Sequence, residues 1–139
     1  MNWNERRKNK YQEQKLKDQV LLSTYRNEKE IMAARERMVS QLRAEIIEAN
    51  VSAENSERKK RTAKNEIEKL KEKKARVPLD LARSVDEADQ TAISERKRAD
   101  KIEVDLAEQK VKFDAALKRF RELNAEEEEK VRALAGKKR

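Results

Sequence analysis

Apolar residues recur along the chain at alternating spacings of three and four, which puts them on one stripe of a helix. The pattern is cleanest after Pro78. With Val85 as a heptad a position, the a series reads Val85, Ala92, Ala99, Leu106, Phe113 and Phe120, and the d series holds Leu81, Ala88, Ile102, Ala116 and Leu123. Glu95 and Gln109 interrupt the d series, and the spacing continues through Glu127, Lys130 and Leu134. A seam held for about seven heptads between charged flanks predicts a coiled-coil segment over residues 78–139.

A thinner seam precedes Pro78. Its a positions include Tyr25, Met32, Val39, Ile46, Ala53 and Ile67, and its d positions Leu21, Leu42, Ala49, Ala63, Leu70 and Val77, with Glu28, Arg35, Ser56, Lys60 and Lys74 interrupting it. Residues 1–77 therefore read as a helical arm with weak heptads. The d position falls at Val77 and again at Leu81, a stutter with Pro78 inside it. Proline disfavours helix at the residue before it and suits the first turn of a new one. Asn50, Ser52, Asn55 and Ser56 cluster where a weaker break could fall, with Ser56 capping a helix from Glu57.

The fold class expected is all-α, with long helices kinked or broken near Pro78 in an extended coiled coil. The alternative is an antiparallel helical hairpin. A hairpin needs a loop of about two to eight residues, and residues 76–80 contain neither glycine nor asparagine, so the kinked rod is the expected course.

Composition narrows function. The 139 residues include 36 Lys or Arg and 28 Asp or Glu, with one glycine, one proline, no cysteine and no histidine. The remaining bulk is rich in strong helix formers. Without Cys or His there is no disulfide, no thiolate or imidazole metal ligand and no histidine-based nucleophile system. Gly136 alone makes no phosphate-cradling loop. The chain reads as non-enzymatic, with no cofactor and no metal. No apolar run is long enough to span a membrane, and the first ten residues carry charge instead of an apolar stretch. The expected location is the cytoplasm, at the cytoskeleton.

The net charge of +8 is confined to the first half: residues 79–139 hold 15 basic and 15 acidic side chains. Residues 57–76 carry 10 basic and 4 acidic residues, and such clusters attract polyanions through a salt-dependent field. The candidate partner-binding residues are Arg58, Lys59, Lys60, Arg61, Lys64, Lys69, Lys71, Lys73, Lys74 and Arg76. Trp3, Tyr11 and Tyr25 are candidate anchors, because flat interfaces favour Trp, Tyr and Arg. A solvated face and a coiled-coil end cap are the plain structural readings of these two sets.

The segment Asp86 to Leu106, DEADQTAISERKRADKIEVDL, has an alanine-rich seam and an ERKRAD charge cluster, and resembles myosin-tail and paramyosin-type rod sequences. The resemblance implies a cytoskeletal or muscle thick-filament context and no motor activity. The basic first half and Pro78 depart from a long regular rod, which implies a short accessory chain lying along a filament. Partners expected are an acidic filament-forming protein or other coiled-coil chains, including further copies of this one. The alternatives are a nucleic-acid-binding coiled-coil dimer and the helical stalk of an export or rotary ATPase, which would need a hairpin near Pro78.

Overall fold

The computed structural model describes residues 2–137, and the described chain is all-α: α1 spans Trp3–Thr24, α2 Glu28–Glu72 and α3 Leu79–Lys137. The chain forms two compact units, one of Val39–Ala107 and one of Met1–Met38 with Glu108–Arg139. Each unit draws residues from both sides of Pro78.

In the Val39–Ala107 unit, the end of α2 and the start of α3 form an antiparallel hairpin. Lys60 pairs with Asp89 and Glu57 with Arg96, so the chain position falls along α2 as it rises along α3. This fold-back, and not the kinked rod, is the course the chain takes here. α2 ends without glycine because a lysine adopts the left-handed conformation instead, with Lys74 at φ 54°. The Ala75 N–H donates to the Leu70 carbonyl at 2.9 Å and the Lys74 N–H to the Lys71 carbonyl at 3.0 Å, the two bonds of a Schellman cap. Pro78 then starts α3, its carbonyl accepting from the Ala82 N–H at 3.2 Å, and Asp80 lies in the positive first turn. A left-handed lysine costs roughly 1–2 kcal/mol that glycine does not. Lys74→Gly is expected to raise stability by about 1 kcal/mol, measured as a higher urea midpoint with an unchanged slope.

The seam of this hairpin is built from small side chains. Val39, Leu42, Ala49, Ala53, Ser56 and Ala63 are buried on α2, and Ala92 and Ala99 on α3. Alanine removes the bulk that holds helices apart, favouring the short end of the ~8–10 Å range of interaxial distances. Leu81, Val85, Ala88, Ile102 and Leu106 flank the seam half-buried. The weaker break expected at residues 50–56 is absent, and α2 runs through it. Of the polar side chains there, Asn50 Oδ1 accepts from Arg96 Nη1 at 3.0 Å and Ser56 is buried in the seam, while Ser52 is half-buried and Asn55 exposed.

In the other unit, the first turns of α2 and the later part of α3 are again antiparallel, joined by Arg35–Asp114 and Arg121–Glu28, each at 3.0 Å. Its buried side chains among the described residues are Ile31 and Phe120. Phe113, Ala116 and Leu123 are half-buried on α3. Beyond Leu123 the seam stops: Glu127, Lys130 and Leu134 are exposed.

The heptads of the arm do not run unbroken through Tyr25. α1 ends at Thr24, and Asn27 starts α2 by accepting from the Glu30 N–H at 3.0 Å, while Glu30 accepts from the Arg26 N–H at 2.9 Å. This reciprocal exchange is close to a capping box, legible as Asn27-Glu28-Lys29-Glu30. In the first turn of α2 the buried residue is Ile31, 1% exposed, and not the expected Met32, which is 52% exposed.

Candidate partner-binding surface

Among the described residues no group of three or more His, Cys, Asp or Glu could hold a metal ion, and no helix is long and apolar enough to cross a membrane. The surface carries many charged side chains and scattered exposed apolar ones.

The basic block divides once folded. Arg58, Lys59, Arg61, Lys64, Lys69, Lys71, Lys73, Lys74 and Arg76 are exposed. Lys60 is not part of this open set, because it is half-buried and its ammonium lies on Asp89 across the hairpin. The last five cations of the block, Lys69 to Arg76, gather at the turn, and the fold-back brings Arg83 of α3 into the same end of the hairpin.

Several ion pairs depend on the fold-back and have no local signal. Arg96 spans the hairpin seam, its Nε and Nη2 donating to Glu57 at 3.4 Å while Nη1 reaches Asn50. Glu57 and Asp114 have basic residues four positions on, Arg61 and Lys118, yet the structure commits them to Arg96 and Arg35 on the facing helices. Exposed pairs of this kind each contribute only about 0.2–1 kcal/mol, so they set register more than they supply stability.

Arg119 is the best-formed ionic contact. Its Nε and Nη2 grip the two Asp18 oxygens at 2.9 and 2.8 Å, and Nη1 donates to Glu122 at 3.0 Å. The fork geometry matches a carboxylate bidentately. Gln14 also donates to Asp18, at 2.9 Å. The Arg119 guanidinium holds the Asp18 carboxyl below its ordinary range, and Asp18 in turn holds the Arg119 proton more tightly. A depressed carboxyl stabilises the fold above its unfolded pKa, about 3.9 for Asp, and that contribution fades as pH falls through the folded value. Amide exchange in residues 14–24 is expected to stay constant from neutral pH to about 5, after correction for the intrinsic rate, and then to quicken. Asp18→Asn is expected to quicken it at neutral pH, with a coupling to Arg119→Gln of about 1–2 kcal/mol in a double-mutant cycle.

The three aromatic candidates are separated in their settings. Trp3 and Tyr11 are 68% and 67% exposed, with the Arg7 guanidinium 4.6 Å from the Trp3 ring centre. Tyr25 is half-buried at the end of α1, its N–H donating to the Leu21 carbonyl at 3.1 Å. Together with Leu16, Lys17, Val20, Leu21 and Thr24 it lines a groove of about 500 Å³.

Compared with known protein families, curated proteins and solved structures, the chain matches none.

Proposed function

We propose that this is a non-enzymatic structural coiled-coil protein that binds along or crosslinks a cytoskeletal or muscle thick filament through charged helical surfaces. The observation that carries the reading is the division of labour on α2. Its apolar stripe is occupied by α3 of the same chain, while nine cations between Arg58 and Arg76 face solvent. A hairpin that satisfies its own seam keeps its outer faces for other molecules, and an acidic filament surface complements them. Co-sedimentation with myosin rods and with microtubules across a salt series tests this. Binding that weakens with salt and with Arg58, Lys59, Arg61, Lys71, Lys73 and Arg76 changed together to Glu supports the reading. Binding to neither filament overturns it.

A second reading has its own observation. An export or rotary ATPase stalk requires a helical hairpin near Pro78, and residues 39–107 form one. Stimulation of ATP hydrolysis by a hexameric export ATPase, absent with the myosin and microtubule preparations, would favour the stalk. A DNA-reading zipper draws less support, since its basic helix should run on into the dimer seam, and α2 ends at Glu72.

A further inference from the structure

The closed end of the Val39–Ala107 hairpin combines features that neither its sequence position nor its charge count reveals alone. Residues 69–83 carry Lys69, Lys71, Lys73, Lys74, Arg76 and Arg83 against only Glu72 and Asp80. All six cations are exposed. The ion pairs of this unit, Lys60–Asp89, Arg96–Glu57 and Arg98–Glu95, engage none of them. At the centre of the group stand Pro78, exposed, and Leu79, 64% exposed, at the first residue of α3. The Schellman cap and the Pro78 carbonyl bond hold this turn in one backbone conformation. Lys74 occupies a left-handed position where glycine would be more stable, so the turn keeps a cation at a local conformational cost. Such a cost at an exposed turn points to a role outside folding.

We infer that the hairpin tip is a docking element for an acidic protein surface with an apolar recess, the cations flanking it and Leu79 seated in it. The inference rests on the reading of the chain as a partner-binding hairpin and names the end that makes contact. Duplex nucleic acid is the weaker match because phosphates offer nothing to Pro78 and Leu79. Single strands need aromatic stacking platforms, and the chain has no aromatic residue between Tyr25 and Phe113. An anionic membrane calls for a broad apolar face opposite the lysines, where the tip has one leucine and one proline.

The test uses the full chain and fluorescence anisotropy with defined probes. Two labelled peptides rich in Asp and Glu are compared, one interspersed with Leu and Phe and one with Ser, beside a DNA duplex and vesicles containing phosphatidylserine. The Leu/Phe peptide is expected to bind tightest. Changing Lys71, Lys73 and Arg76 to Glu should weaken it by about tenfold or more, and changing Arg58, Lys59 and Arg61 to Glu by less than about threefold. Leu79→Ser should remove the preference for the Leu/Phe peptide and leave the Ser peptide unchanged. Far-UV circular dichroism checks the helices, and glutamine at the same three positions replaces glutamate if helicity falls. Equal loss from the two charge triples, no effect of Leu79→Ser, or tighter binding to DNA or vesicles would overturn the inference. If filaments or an ATPase bind the wild-type and tip-reversed chains alike, the tip assignment fails and the proposed function stands. Peptide binding at the tip without binding to either assembly has the opposite meaning.

Discussion

Phe120→Ala is expected to cost about 3–5 kcal/mol, the largest effect of any single truncation in this protein. The unit of Met1–Met38 with Glu108–Arg139 buries only Ile31 and Phe120 among its described side chains, and α1 contributes no buried residue. Phe120 is 3% exposed, so removing its ring leaves a cavity that a two-residue core has little material to fill. Typical domains hold only about 5–15 kcal/mol in total. Hydrogen exchange read by mass spectrometry should therefore show fast exchange over residues 28–38 and 108–123 in the variant, with residues 45–65 and 85–105 still protected. Uniform loss across both sets would show that the two units unfold together.

Ala53→Leu should cost about 1–3 kcal/mol by the opposite mechanism. Ala53 is fully buried in a seam where five of the eight buried residues are alanine. Extra methylenes at a fully buried alanine push the helices apart, which also lengthens the Glu57–Arg96 and Lys60–Asp89 pairs nearer the turn. Urea denaturation followed by circular dichroism gives the loss directly. Ala44→Leu, at an exposed position of the same helix, should stay within about 0.5 kcal/mol of wild type. A similar loss at both sites would mean that propensity, and not close packing, governs the hairpin.

Each of these expectations rests on a narrow apolar stripe within its own unit. On α3 the apolar spacing assigns Ala92, Ala99 and Phe120 to one heptad position, and these are the side chains that helix buries among the described residues. On α2 the spacing works from Val39 onward and fails earlier. Ile31 is buried there in place of Met32, and because both lie in the one unbroken helix α2, the difference is set by which face the neighbouring helices cover and not by any local signal. What the sequence does carry locally is the end of α1, marked by the Asn27 and Glu30 cap, across which the heptad spacing runs without a sign.

The basic surface was legible only as composition. Ten basic residues between 57 and 76 mark a charged region, but nothing local distinguishes Lys60, tied to Asp89, from Lys59, which faces solvent. The same holds for the ionic contacts: Glu57 has Arg61 one turn away and meets Arg96, 39 residues distant. Arg119 and Asp18 are separated by 101 residues and carry no mutual signature along the chain.

What the sequence determined by itself is therefore the helical state and its punctuation. Helix propensity, capping and the proline effect act within a turn or two, so the all-α character and the interruption at Pro78 follow from neighbouring residues. Only the tertiary structure decided which way the chain leaves that interruption. A kink and a fold-back begin from the same residues, and the absence of glycine weighed towards the kink. Burial of Ala49, Ala53, Ala92 and Ala99 against a facing helix outweighs the roughly 1–2 kcal/mol of one left-handed lysine, and that comparison exists only once the two helices meet.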